Sequence, residues 1–150
     1  IHSPVSVRAQ GGVPGYHLHQ EEKYKKIGES EMRYETYQAD DADLLLVAYG
    51  SSARICRSAV KMGRKEGLKL GLFRPITCWP FPGRQLHLAA QHSAKVLVVE
   101  DSNPQLVEDV EFALRGQVPV HHLGVWGRDL PGAEGVIHPE RVLQEVKTLL

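Results

Sequence analysis

Cysteine is scarce in this chain. Only Cys56 and Cys78 occur in 150 residues. Two distant thiols make neither a disulfide framework nor a Cys-x-x-Cys series able to hold zinc or an iron–sulfur cluster. A reducing cytoplasm suits this composition. Charge of one sign is also lacking: eighteen basic and eighteen acidic side chains cancel. No like-charged run offers a surface to nucleic acid or to an anionic membrane. Apolar runs stop at strand length, which excludes a bilayer-spanning helix. No signal peptide is visible, and the chain begins at Ile1 rather than Met, which reads as a fragment, a processed chain or an excised domain. Several catalytic signatures are missing as well. There is no Gly-x-Ser-x-Gly nucleophile turn, no glycine-rich dinucleotide fingerprint and no lysine-bearing phosphate loop.

What is present is an alternation of strand and helix. Residues 44–49 (Leu-Leu-Leu-Val-Ala-Tyr) form a strand of the fully buried kind, and Gly50-Ser51-Ser52 make a tight turn of small residues. The helix predicted over 52–65 carries Ile55, Cys56, Ala59, Val60 and Gly63 on one stripe, with Arg54, Arg57, Lys61, Arg64 and Lys65 facing away. Ser51 or Ser52 caps its start and Gly67 ends it. Cys56 lies on the core stripe and reads as structural. A second strand over 68–73 completes a parallel crossover unit. Arg74-Pro75-Ile76-Thr77-Cys78-Trp79-Pro80-Phe81-Pro82 follows it, where open parallel sheets place their working surface.

The rest extends this unit. A helix begins near Pro82 and buries Leu86, Ala89 and Ala90. Residues 96–100 are the next strand, ending in Glu100-Asp101-Ser102-Asn103-Pro104. Asn103 is the expected N-cap of a third helix, with Pro104 at its first position and Leu106, Val107, Val110 and Leu114 inward. Residues 118–123 form a strand whose Pro119 favours the sheet edge, with His121 and His122 on opposite faces. Residues 124–135, with Trp126, Arg128 and Pro131, read as an irregular loop, and a last helix opens near Pro139. Before residue 44 the pattern weakens. Residues 1–19 read as a loop around Gly11-Gly12-Val13-Pro14-Gly15, with His17 and His19 as exposed loop histidines. Residues 20–27 form a short helix with Glu21–Lys25 and Glu22–Lys26 pairs, and residues 32–38 an edge strand. The expected fold is a three-layer α/β domain with a largely parallel sheet.

Two features offer chemistry. The Gly50-Ser51-Ser52 turn before a helix can hold an anion, although any tight strand-to-helix turn needs small residues. Trp79 and Phe81, in a proline-stiffened loop, either dock on a partner or fold back over the domain's own core. Glu100 and Asp101 close a strand at the carboxyl edge, but no motif ties them to a histidine, a cysteine or a second carboxylate, so a helix-capping, solvated role is expected. The residues alone describe a domain without a self-contained active site.

Lys23-Tyr24-Lys25-Lys26-Ile27, Arg33-Tyr34-Glu35, Asp41-Ala42-Asp43, Val47-Ala48-Tyr49-Gly50-Ser51 with Ala53-Arg54, and above all Gly71-Leu72-Phe73-Arg74-Pro75-Ile76-Thr77 through Trp79-Pro80-Phe81-Pro82 resemble one family. They look like the C-terminal part of the alpha subunit of 2-oxoacid:ferredoxin oxidoreductases, nearest to the 3-methyl-2-oxobutanoate (2-oxoisovalerate) type, with the 2-oxoglutarate type next. The resemblance runs over residues 20–125. It implies a transketolase C-terminal-like domain, α/β/α, with a five-stranded sheet whose first strand is antiparallel. Residues 1–32 would be a lead-in from a preceding domain and 33–150 the domain itself.

The resemblance also implies a reaction, thiamine diphosphate-dependent oxidative decarboxylation of a 2-oxoacid to an acyl-CoA with ferredoxin reduction, in cytoplasmic anaerobic metabolism. Thiamine diphosphate, magnesium, the iron–sulfur cluster and CoA are expected on other domains or subunits, since neither a Gly-Asp-Gly with a downstream Asn-Asn pair nor a cysteine series occurs here. No catalytic, cofactor-binding or metal-ligating residue is assigned in this chain. The partners implied are the beta, gamma and ferredoxin-like delta subunits, with ferredoxin reached indirectly. Candidate contact residues are Gly50, Ser51, Arg74, Pro75, Trp79, Phe81, Glu100 and Asn103. One departure stands out: where the family pattern has a glycine before Gln105, this chain has Pro104. The competing reading is a free-standing small-ligand or phosphate-binding α/β module built on the serine turn.

Overall fold

Leu44-Leu45-Leu46-Val47 is apolar at every position, and every one of these side chains is buried. A strand buried on both faces needs cover on both sides, and here helices supply it. The computed structural model describes residues 4–124 and 137–150. The chain divides into two compact units, residues 1–32 and 33–150.

The larger unit contains β1 (Tyr34–Tyr37), β2 (Leu44–Val47), α3 (Gly50–Lys65), β3 (Leu70–Pro75), α4 (Gly83–Ala90), β4 (Lys95–Glu100), α5 (Leu106–Leu114), β5 (Val120–Gly124) and α6 (Pro139–Leu149). The strands form one sheet in the order β1-β3-β2-β4-β5. β1 runs antiparallel to β3, with Glu35 opposite Arg74 and Tyr37 opposite Leu72. The other neighbours are parallel.

Side-chain alternation divides the core in two. Leu44, Leu46, Leu70, Leu72, Leu97 and Val99 pack with Cys56, Ala59 and Val60 of α3 and Val142, Leu143 and Val146 of α6. Leu45, Val47, Phe73, Val96 and Val98 pack with Leu86 and Ala90 of α4 and Leu106, Val107, Val110 and Leu114 of α5. Each fully buried Leu, Val or Phe contributes about 1.5–3 kcal/mol of transfer free energy. Cys56 belongs to this packing: it is fully buried, and burial pushes its thiol far above the ordinary range.

The first strand is pinned beside this core by Arg64. Its guanidinium donates to Asp41 Oδ1 at 2.6 Å and to the carbonyls of Gln38 and Leu70, both at 2.8 Å. Helix α3 ends as its Gly67 predicts, with Gly67 at φ +86 and Leu68 N–H reaching back to Gly63 O.

Several local expectations are corrected. Neither Ser51 nor Ser52 caps α3, which starts at Gly50 with Tyr49 in the cap position and no side-chain cap bond; both hydroxyls are engaged elsewhere. Asn103 does not cap the third helix, and Pro104 is not its first residue. Helix α5 starts at Leu106, and the buried Glu100 carboxylate reaches its amides first. β5 begins after Pro119, whose carbonyl accepts from Val96 N–H. Of the loop expected at 124–135, Gly124 instead ends β5, and residues 125–135 lie outside those described.

The smaller unit also departs from the sequence reading. Residues 4–19 are not a loop: α1 (Pro4–Ala9) is followed by α2 (Gly12–Ser30), a 19-residue helix. The turn chemistry is confined to Gly11 and Gly12, at φ +82 and +73. Pro14 falls in the first turn of α2, where its missing N–H costs nothing. Within this unit α2 buries none of its residues, so its apolar positions carry no period to read. His17 and His19 are exposed on this helix, two residues apart, a spacing that directs them to different sides.

Candidate functional site

In an open parallel sheet the crevice lies where successive crossovers diverge, outside the carboxyl ends of the strands. Here β2 leads through α3 to β3 on one side, and β4 leads through α5 to β5 on the other. The crevice therefore falls between the ends of β2 and β4, at Gly50-Ser51-Ser52 and Glu100-Asp101-Ser102.

Asp101 bridges that crevice. Its Oδ2 accepts from Ser52 Oγ at 3.0 Å and from Ser51 Oγ at 3.4 Å. A carboxylate held in front of the serine turn repels an incoming anion, so the phosphate-binding reading of this turn loses its physical basis. Gly50 sits at φ +56 with open space where a Cβ would stand, so the turn needs glycine for its backbone conformation rather than for room.

Glu100 is fully buried, which corrects the expectation of a solvated carboxylate. Its capping role is real. The two oxygens accept from Ser102 Oγ at 2.8 Å and from the N–H groups of Gln105, Leu106 and Val107 at 3.0–3.3 Å. His122 Nε2 lies 3.2 Å from Oε1. The positive end of α5 and this ring of donors hold a charge that would otherwise be costly to bury. Burial alone would raise the carboxyl; the amides of α5 and the Ser102 hydroxyl bring it below the usual carboxylate range instead.

The loop after β3 is pinned at both ends. Thr77 Oγ1 donates to Pro80 O at 3.0 Å and accepts from Arg33 N–H at 3.0 Å, while Ile76 N–H donates to Arg33 O at 2.9 Å. Pro75 is buried in the last register position of β3, opposite Tyr34. The two aromatics separate. Trp79 is 60 % exposed, whereas Phe81 is half-buried against the core beneath α4 and α5. Trp79 forms one wall of an open groove of about 640 Å³ between α4 and α5, whose other walls include Arg84, His87, Phe112 and Arg115.

The structure thus brings Gly50, Ser51 and Glu100 to one crevice and places Trp79 and Phe81 in a separate groove. Arg74 stands apart again, with Nη1 3.1 Å from Glu35. Asn103 is exposed and holds no cap. Sequence reasoning missed Asp101 as the acceptor of both serines, His122 beside Glu100, and Phe112. Phe112 did carry a signal: it lies off the stripe of Leu106, Val107, Val110 and Leu114, and it is 80 % exposed.

Iron–sulfur clusters are held by sets of cysteine thiolates. With Cys56 buried and Cys78 exposed as the only two thiols, the donor set does not fit one. Among the described residues no group of three or more His, Cys, Asp or Glu is placed to hold a metal ion. Nor is any helix among them long and apolar enough to cross a membrane.

Residues 42–134 match the profile of pyruvate:ferredoxin oxidoreductase core domain II. The ketoisovalerate oxidoreductase subunit VorB of Methanothermobacter thermautotrophicus is 44 % identical over 98 residues, which are 65 % of this chain and 28 % of that protein. Among solved structures, the 2-oxoglutarate:ferredoxin oxidoreductase from Magnetococcus marinus, with 2-oxoglutarate, coenzyme A and succinyl-CoA bound, superposes with TM-score 0.71 at 19 % identity. It covers 91 % of this chain and 23 % of that one. A split-gene transketolase, an inactive beta4 tetramer, superposes with TM-score 0.66 at 20 % identity over 77 % of this chain and 40 % of that one. The fold is accordingly the one shared with the transketolase C-terminal region. The chain spans about a quarter of the length of its oxidoreductase relatives.

Proposed function

The chain belongs to the pyruvate:ferredoxin oxidoreductase core domain II family, and from that premise we propose that it is an assembly and active-site-supporting domain of a 2-oxoacid:ferredoxin oxidoreductase. In this reading the decarboxylation, the thiamine diphosphate with its magnesium, the iron–sulfur cluster and the CoA site belong to other domains or subunits. The 2-oxoacid is of the branched-chain, ketoisovalerate type, with 2-oxoglutarate as the alternative; the similarity to VorB supports the first. The partners are the remaining subunits of the complex, with ferredoxin reached through them, in the cytoplasm.

Trp79 carries the docking part of the proposal. A large aromatic left 60 % exposed on a loop that Thr77 holds in place is costly in water, and it is preorganised for burial against a partner. Phe81 anchors the same loop to the domain's core. The charge of Glu100 is engaged in capping α5, whose backbone amides of Leu106 and Val107 donate to its carboxylate, which supports a structural duty for it.

Co-expression with the other subunits, followed by affinity purification through a tag on this chain, tests the proposal. Recovery of a complex that oxidises 3-methyl-2-oxobutanoate in the presence of CoA and ferredoxin is expected. Isolation of this chain alone under those conditions would count against it.

A further inference from the structure

The pairing of β1 with β3 puts four side chains on the face that α3 covers. Glu35 and Tyr37 alternate with Tyr34 and Thr36 along β1, and they stand opposite Arg74 and Leu72 of β3. Leu72 and Tyr37 pack into the core under α3; Glu35 and Arg74, one pleat further along, therefore emerge beside that helix. Helix α3 brings Ala53, Arg54 and Arg57 to the same place. Together these residues line a pocket of about 270 Å³ at the edge of the sheet.

Three guanidinium groups and one carboxylate border this pocket, which leaves two positive charges in excess. Two of the three guanidinium groups are held in place. Arg74 is oriented by Glu35 at 3.1 Å, and Arg57 lies over the Tyr37 ring with its guanidinium carbon 4.5 Å from the centroid. The Nε of Arg74 is buried and makes no hydrogen bond to the protein, an unmet donor of the kind that native structures keep for a reason. Ala53 belongs to the first turn of α3, so the positive end of the helix dipole borders the same space.

From these observations we propose that Arg54, Arg57 and Arg74 form a binding site for a small oxyanion, a phosphate or carboxylate group of a metabolite. The fork geometry of guanidinium suits either group bidentately. The volume admits a pyrophosphate-sized or short dicarboxylate group and little more. The site is distinct from the serine turn, whose anion capacity Asp101 cancels, and it lies on the opposite edge of the sheet from β5.

Isothermal titration of the intact chain with pyrophosphate, and separately with succinate, at ionic strength held constant with chloride, tests the site. Saturable binding of at least one probe is expected, and the probe that binds tells phosphate from carboxylate. Arg57→Gln and Arg54→Gln, both at exposed positions that leave the core intact, should each weaken it about tenfold or more, as loss of a charge-assisted hydrogen bond does. Arg84→Gln, in the groove beside Trp79, should leave it unchanged. Absence of saturable binding with both probes would overturn the proposal, as would affinity retained in both Arg54→Gln and Arg57→Gln. If neither probe binds and Arg57→Gln instead weakens association with the other subunits, the arginines are an ion-pairing interface and the small-anion site is refuted. The titration needs no partner subunit, so its failure and a failure of assembly are told apart.

Discussion

The carboxylate of Glu100, at the buried end of β4, lies 3.2 Å from Nε2 of His122 on the neighbouring strand β5. Both point to the α5 side of the sheet, and the amides of Gln105, Leu106 and Val107 close over the same carboxylate. A strand end, an edge strand and a helix start are joined through one side chain.

Replacing Glu100 by Ala leaves the first amides of α5 and the Ser102 hydroxyl without their acceptor in a buried setting. The expected cost is about 2–4 kcal/mol of unfolding free energy, since charge-assisted bonds are lost and the donors stay desolvated. Urea denaturation measures it. A loss below about 0.5 kcal/mol, the ordinary size of a surface change, would mean that Glu100 does not hold α5.

The same carboxylate makes stability depend on pH in a definite sense. Burial raises the Glu100 carboxyl, but the bonds from Leu106, Ser102, Gln105 and Val107 bring it below its ordinary value of 4.5. A group depressed on folding stabilises fully above its unfolded value, and that stabilisation is lost as the pH falls through the lower folded value. The melting-temperature gap between wild type and Glu100→Gln should therefore be full above about pH 5 and shrink below about pH 4. Repeating the series in a His122→Asn background keeps the imidazole out of the comparison. A gap that widens on acidification contradicts the depressed value.

Two buried glycines should respond differently to a methyl group. A Cβ at Gly71 would stand 2.8 Å from Ala39 Cα, from Ala42 Cβ and from Gln38 O, contacts that only a backbone shift relieves. A Cβ at Gly63 would meet chiefly the Leu70 Cδ1 methyl, which can rotate, and Leu143 Cδ1 at 3.2 Å. Gly71→Ala is expected to cost about 1–3 kcal/mol, as overpacking does. Gly63→Ala should cost less, because the helix propensity of alanine offsets the crowding. Thermal unfolding of both variants ranks them, and the reverse order would show that the β1–β2 connection yields more easily than the α3 contact.

Trp79 and Phe81 should separate assembly from stability. Trp79→Ala removes a mostly exposed ring and should leave the melting temperature within about 1–2 °C while weakening association with partner subunits. Phe81→Ala removes a half-buried ring and should cost about 1–2 kcal/mol of the domain's own stability, roughly half the fully buried cost. Paired melting curves and pull-downs decide. A larger melting shift for Trp79 than for Phe81 would place the tryptophan in the core.

Much of the larger unit was legible because burial leaves a period in the sequence. The stripe of Cys56, Ala59, Val60 and Gly63 and the uninterrupted Leu44-Leu45-Leu46-Val47 each have one packing solution. Pro119 pointed to a sheet edge because a proline lacks the ladder donor. The first half of helix α2 escaped notice for the converse reason: with no residue buried in its own unit, only the i,i+4 charge pairs over residues 20–27 marked it as helix, and Gly11-to-Gly15 read as a turn. The capping assignments failed because a local rule met a stronger distant partner. Ser51 and Ser52 turned to Asp101, about fifty positions away in sequence, and Glu100 reached the α5 amides ahead of Asn103.

The amino-acid order alone determined the alternation of strands and helices, the two-sided burial of the sheet and the likeness of the Arg74-to-Pro82 loop to one enzyme family, because each is written in neighbouring residues. Tertiary structure decided which polar groups meet. The parallel pairing of β2 with β4 brought Asp101 to the serine turn, and the antiparallel edge brought Glu35 and Tyr37 to the arginines of α3 and β3. Such encounters depend on strand order and register, which no local pattern of side chains encodes.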